Sequence, residues 1–266
     1  MTVVLHISDT HFGTEQPDVV EALVQLSQLQ RPDLVILSGD ITQRAQNNEF
    51  SAARRFMDRL HTPASLVIPG NHDIPLFDLF SRLFMPYARF SRVFGKELAP
   101  EYESPDLLVV SVKTTRRYRH IEGEVSERQI DGVVKRLQQA RPDQLRLVVT
   151  HQPVHVIKEE DRKNLLNGRN EAIVRWAEAG ADLILGGHIH RPFVSALHEE
   201  IPGLKGRTWA VQAGTALSNR IRFEAGNSVN VIRCGTDHQR LCDIERWDYD
   251  PVTRSFQMKA KEELSR

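Results

Sequence analysis

Five short polar motifs, each closing an apolar run, carry the side chains that could do chemistry. They are Asp9-Thr10-His11, Gly39-Asp40, Gly70-Asn71-His72-Asp73, His151 and Gly187-His188-Ile189-His190. Imidazoles, carboxylates and a carboxamide without thiolates suit Mn, Fe or Zn better than Ca. The donors suffice for two ions about 4 Å apart with one histidine left over, the equipment of metal-assisted phosphoester hydrolysis. Asp9 with His11, and His188 with His190, are i, i+2 pairs. On an extended backbone such pairs point the same way, so each pair is expected to serve one pocket. Glycines 39, 70, 186 and 187 permit sharp turns just before the donors.

The elements that must position these motifs alternate along the chain. Strands are expected at Val3 to Ile7, Leu34 to Leu37, Ser65 to Ile68, Leu107 to Val112, Leu145 to Val149 and Asp182 to Leu185. Helical periodicity separates them at Pro17 to Leu29, Glu49 to Leu60, 125–139 and 168–179. This β-α-β rhythm argues for an α/β layered fold with buried strands. In open α/β sheets the reactive crevice lies at the carboxyl ends of strands, which is where all five motifs fall. From about residue 192 the chain turns β-rich, with strands expected at Phe193–Leu197, Thr208–Gln212, Val229–Arg233 and Asp243–Tyr249. No internal repeat or flexible linker divides it, so residues 1–266 are expected to form a single domain with an aromatic-rich, cap-like insertion at about 76–104.

Lys plus Arg equal Asp plus Glu at 35 each, so no global field favours nucleic acid, and none is expected as a partner. Cys234 and Cys242 lack metal-ligand spacing and read as buried free thiols. The opening apolar run is too short for a signal peptide, and no stretch approaches the roughly 20 apolar residues of a membrane span. The expectation is a cytoplasmic protein.

Taken in order, the motifs resemble those of the calcineurin-like metallophosphoesterase superfamily. Ser8-Asp9-Thr10-His11 and Gly187-His188-Ile189-His190-Arg191-Pro192 resemble in particular the bacterial class III cyclic-nucleotide phosphodiesterases. The resemblance implies a four-layer α-β-β-α sandwich of two packed mixed β-sheets flanked by helices. It further implies that Asp9, His11, Asp40 and His190 hold one ion, while Asp40, Asn71, His151 and His188 hold another. Mn²⁺ or Fe, with Zn²⁺ as an alternative, would fill these sites. His72 would then donate a proton or hydrogen bond to the phosphate, Asp73 would favour its charged form, and a hydroxide held on the ions would attack phosphorus. The implied substrate is a small-molecule phosphoester, with 3′,5′-cyclic AMP first. A lipid-linked or nucleotide-sugar pyrophosphate, and a metal-stabilised interaction scaffold, are the alternatives.

Two segments fall outside that pattern. Lys113 to His120 holds four cations without an acid, and Arg116, Arg117, Arg119 and His120 are either grips for further phosphate charge or a solvated basic loop. In 76–96, aromatic residues recur every three or four positions from Phe77 to Phe94, with Pro86 expected to split the run into two helices. It reads as a cap packing its aromatics onto the core, with three alternatives: a substrate lid, a peripheral membrane contact or a homodimer interface. His155, close after His151, is a candidate for the substrate rim.

Overall fold

The computed structural model describes residues 2–119, 121–222, 225–235 and 240–265, and only the backbone of residues 240 and 241. In chain order the first elements are β1 (Val3–Ile7), α1 (Pro17–Gln30), β2 (Leu34–Leu37), α2 (Asn47–Arg59) and β3 (Ala64–Val67). Two short helices follow, α3 (Leu79–Phe84) and α4 (Ala88–Phe94), then β4 (Glu101–Glu103) and β5 (Leu107–Ser111). Next come α5 (Glu127–Gln138), β6 (Leu145–Val149), α6 (Arg169–Glu178) and β7 (Leu183–Gly186). The last part contains β8 (Phe193–Ala196), α7 (Leu197–Glu200), β9 (Trp209–Gln212), β10 (Ser228–Cys234), β11 (Arg240–Asp250) and β12 (Ser255–Ser265).

These strands form two mixed six-stranded sheets, ordered β12-β11-β10-β1-β2-β3 and β4-β5-β6-β7-β9-β8. β1, β2 and β3 are parallel, as are β5, β6, β7 and β9, while β10 joins β1 antiparallel. The continuous apolar runs have a direct cause, because the strands are buried on both faces. Alternate residues separate cleanly. Leu5, Ile7, Val35 and Leu37 pack outward with helices α1 and α2, while Val4, Leu34 and Ile36 meet Leu107, Val109, Leu147 and Leu185 between the sheets. On the far side Leu108, Val110 and Val148 pack against Ile130, Val133, Ile173 and Trp176 of α5 and α6. The result is an α-β-β-α sandwich.

Two differences from the sequence reading are informative. β12 was not expected: between Gln257 and Glu263 it is exposed, so it shows little apolar alternation, and its long antiparallel register with β11 holds it instead. Pro86 does split the aromatic segment, but the two halves have different fates. Phe90 is fully buried near Phe50 and Phe94, whereas Phe77, Phe80 and Phe84 are 75, 65 and 64% exposed. The break redirects the chain, so no single aromatic stripe survives to pack as one face. Cys234 and Cys242 are buried, free and directly opposed on β10 and β11. Among the described residues, no helix is long and apolar enough to cross a membrane.

Candidate metal centre

The parallel strands deliver their carboxyl ends to one edge of the sandwich. β1 leads into Asp9 and His11, β2 into Asp40, and β3 into a single 3₁₀ turn at Asn71–Asp73. From the facing sheet, β6 leads into His151 and β7 into His188 and His190. The donors do not sit on extended backbone, which corrects the expectation that i, i+2 pairs align as in a strand. Asp9 (φ 53°), His11 (42°), Asp40 (47°), His188 (73°) and His190 (57°) all take left-handed conformations. Non-glycine residues rarely do so, and such conformations concentrate where surrounding structure imposes them at functional sites. Here the strands have already ended, and tight turns aim the side chains inward.

Backbone bonds lock the turns together. Asp9 N–H donates to Gly39 O and His11 N–H to Asp40 O, each at 3.0 Å, and His188 N–H donates to Asp9 Oδ2 at 2.8 Å. Gly187 lies against Ser8 and Asp9 so closely that a Cβ would collide with both side chains. The two sheets are joined at the site by His151 Nδ1–H, which donates to Ser38 O at 2.8 Å.

Among the described residues three donor groups could hold an ion: the buried clusters of Asp9 with His11 and His190 and of Asp40 with His151 and His188, and a third of His11 with Asp40 and the half-buried His72. His190 Nε2 stands 3.2 Å from Asp9 Oδ1 and 3.1 Å from His11 Nε2. Two ligands held about 2.1 Å from one cation lie roughly 3 Å apart, so this spacing is that of a shared ion. Asp40 faces both clusters: Oδ1 lies 3.2 Å from His151 Nε2, and Oδ2 lies 3.9 Å from His11 Nε2. Asn71 Oδ1 is 3.2 Å from His151 Nε2. Asp9 Oδ1 and His188 Nδ1 are buried without a hydrogen-bond partner, a cost that a cation would remove. The residues therefore fit two ions. Carbonyls orient the rings: His190 Nδ1–H donates to Arg220 O at 2.8 Å, as His151 does to Ser38 O, which leaves each Nε2 turned inward.

Charge follows the same geometry. Burial drives the pKa of His11 and His188 down to about 3, so both imidazoles are neutral. Burial also opposes charge on His151, but Asp40 outweighs it and pushes His151 up to about 9. Burial alone would raise Asp9 and Asp40; their histidine neighbours reverse this and hold both carboxyls below the usual range.

His72 sits beside the clusters, within reach of His11 and Asp40. Its Nδ1–H donates to Gln43 O at 2.9 Å, and its backbone N–H donates to Asp40 Oδ1 at 2.8 Å. Asp73 is read differently from the sequence expectation. Its carboxylate accepts from the backbone N–H groups of Ile41, Thr42 and Gly70 and from the Thr42 hydroxyl. That makes Asp73 the clasp between the Asp40 and Asn71 loops. Burial and then the charge of Asp40 raise its pKa to about 6.

Arg220 escaped the sequence reading. Its Nη1 lies 3.2 Å from His72 Nε2, 3.1 Å from Gln43 Oε1 and 3.4 Å from His11 Nδ1. The available signal was its place in the loop after β9, another strand of the parallel set, but no metal-donor residue type drew notice. A cavity of about 190 Å³ lined by Gln43, Arg44, Asn71, His72, Ile74 and Leu76 opens beside the centre.

The other expected substrate residues are differently placed. Arg116 is committed to Gln129 Oε1 at 2.7 Å, to the Lys113 and Thr115 carbonyls and to Glu124 at 3.6 Å, so it has little left for a phosphate. Arg119 pairs with Glu122 and Glu124, acids that follow the basic run. Arg117 donates to Leu83 O, fastening the loop to α3. His155 lines a separate cavity of about 230 Å³ with Arg162, Arg169 and Ile173, and burial lowers its pKa. His120 lies outside the described residues.

Two facing mixed sheets that bring N/O donor clusters around a shared carboxylate define a metal-dependent phosphoester hydrolase. The chain belongs to the calcineurin-like phosphoesterase family, whose model matches residues 2–192. It is 28% identical over 202 residues to a protein of Arcobacter nitrofigilis named as a probable glycerophosphodiester phosphodiesterase, GpdQ, covering 71% of this chain and 72% of that one. It is 25% identical over 206 residues to a probable cyclic nucleotide phosphodiesterase of Rhodococcus erythropolis, covering 70% of this chain and 64% of the relative. Its fold resembles that of a dimetal phosphatase from Danio rerio, with TM-score 0.63 and 12% identity over 99% of this chain and 98% of the other.

Proposed function

We propose that this chain is one metallophosphoesterase domain that hydrolyses small phosphodiesters, with 3′,5′-cyclic nucleotides as the first-choice substrate. The observation that carries the reading is the pair of buried donor clusters flanking Asp40, with His72 beside them. Asp9, His11, Asp40 and His190 would hold one ion, and Asp40, Asn71, His151 and His188 the other. The absence of thiolate from this set favours Mn or Fe, with Zn as the alternative. Bound cations supply Lewis acidity and a water acidified towards neutrality.

The rest of the chemistry falls to the chain. Arg220 and His72 converge at 3.2 Å beside the clusters, where a phosphoryl oxygen would lie. A guanidinium there, half-buried beside the clusters, would bind developing negative charge as a preorganised donor. Gln43 O fixes the His72 tautomer with the proton on Nδ1, so Nε2 is the atom that exchanges a hydrogen bond or proton with the departing oxygen.

A glycerophosphodiester is the second reading, favoured by the relative named GpdQ. The pyrophosphate reading loses its main support, because Arg116 is occupied and Arg119 is neutralised. The test is kcat/KM for 3′,5′-cyclic AMP, a glycerophosphodiester and an aryl diester on Mn²⁺-loaded protein. A value above about 10⁴ M⁻¹s⁻¹ for the cyclic nucleotide, the range of committed enzymes, supports the first-choice substrate. Preference for the glycerophosphodiester selects the second reading. No hydrolysis of any diester by fully loaded protein overturns both and leaves a scaffold.

A further inference from the structure

The first cap helix is apolar and uncovered. α3 has no buried residue, and Leu79, Phe80, Leu83 and Phe84 are exposed, continuing into Leu76 and Phe77 on one side and Met85 on the other. Tyr118 and Ile121 of the basic loop are also exposed. A contiguous apolar patch of this kind on a folded surface marks a contact with something else. A six-residue helix has little stability of its own in water, and here polar ties hold it in place. Asp78 caps it by accepting from Ser81, Arg82 donates to the Pro75 and Arg119 carbonyls, and Arg117 donates to Leu83 O. These bonds fasten the segment to its surroundings, while the aromatic and aliphatic side chains are left for solvent.

The surroundings of the patch indicate what would cover it. Arg44, over the Phe77 ring at 5.4 Å, belongs to this rim together with Arg82 and Arg117. None of the three has a carboxylate partner among the described residues. The acids nearby are taken: Asp78 by Arg89 at 2.7 Å, and Glu122 by Arg119. An apolar centre within an uncompensated cationic rim complements the interface of an anionic bilayer, where side chains enter the acyl boundary and arginines meet headgroup phosphates. A second copy of the chain is a poorer match, because a two-fold contact sets each patch against itself and brings the rim cations towards their own mates.

We infer that α3 and the Arg117 loop form a docking surface for an anionic lipid bilayer, beside the mouth of the metal centre. Leu76 lines that mouth together with His72, so docking would set the site at the membrane surface. The inference does not depend on which diester is hydrolysed.

Co-sedimentation of the full chain with phosphatidylcholine vesicles, with and without phosphatidylglycerol, tests it. Binding should require phosphatidylglycerol and weaken with salt. It should also fall at least tenfold in a Phe80→Glu/Phe84→Glu double variant. Both positions are exposed, so that variant should fold and retain its hydrolysis of a soluble diester; its thermal melt and kcat/KM check this. Failure of the wild-type chain to bind either vesicle overturns the inference. Equal binding to both overturns the charge argument. A dimer in sedimentation velocity that dissociates in the same variant assigns the patch to self-association instead.

Discussion

Replacing Gly70 by alanine tests whether the two donor clusters depend on one close crossing of loops. A Cβ on Gly70 would stand 2.8 Å from Asp40 Cα and closer still to the Asp40 backbone nitrogen, whereas real Cβ contacts essentially never fall under 3.0 Å. The obstacle is backbone, so no side chain can swing aside, and one loop must yield by about 1 Å. Overpacking of this kind costs about 1–3 kcal/mol, which for a protein this size lowers Tm by roughly 2–12 °C. The functional loss should exceed what the stability cost alone would cause. Asp40 faces both clusters, and Gly70 N–H donates to Asp73, the clasp of the same loops. A displacement near 1 Å at reacting groups costs about 10²-fold in rate, and bound metal should drop below the wild-type complement. The assay pairs calorimetry with metal analysis and kcat/KM on a soluble diester. Gly132→Ala is the control: it lies in α5, a Cβ there meets nothing within 4 Å, and alanine should be neutral or stabilising by about 0.5–1 kcal/mol. Wild-type metal content and activity in Gly70→Ala would refute the reasoning.

Further outcomes are expected. His72→Ala should keep its metal while kcat falls by roughly 10²-fold or more; a metal-free variant would instead make His72 a ligand. Arg220→Met should also keep its metal and lose about 10²-fold in kcat/KM, as for removal of one preorganised charged donor; unchanged kinetics would place the guanidinium off the reaction path. Asn71→Ala should lose metal from the His151 cluster before the His190 cluster, readable as a fall in bound metal per chain; full occupancy with full activity contradicts that assignment. Stability of the chelator-treated protein should peak near pH 6.5. His6, His11 and His188 have folded pKa values lowered to about 3 from 6.5, so the unfolded state binds more protons below pH 6.5 and stability declines as pH drops. His151 is raised to about 9, so its contribution is complete below pH 6.5 and is lost as pH rises through 9. Asp73, raised to about 6, offsets part of the acid slope without reversing it. A stability curve that climbs steadily from pH 6.5 to 9 would contradict the His151–Asp40 pairing.

By itself the amino-acid sequence determined the periodic parts of this protein. A strand buried on both faces is largely apolar, so β1, β2 and β6 could be read from Val3, Leu34 and Leu145 onward, with His6 and Arg146 the polar exceptions within β1 and β6. The polar residues ending those runs marked the reactive edge for the same reason, since buried strands do not otherwise close on Asp, Asn and His. Tertiary structure alone decided what has no local signature. β12 is held by pairing with β11 while its residues remain largely exposed, so nothing in its own pattern announces it. Arg220 meets His72 across 148 positions of sequence. The left-handed turns at Asp9, Asp40 and His188 are imposed by long-range bonds between loops, against each residue's own preference. Arg116 is held by Gln129, 13 positions on, and Arg117 by the Leu83 carbonyl, contacts that only the fold brings to the basic run. Charge and hydrogen bonding act through space, and only the fold sets which distances are short.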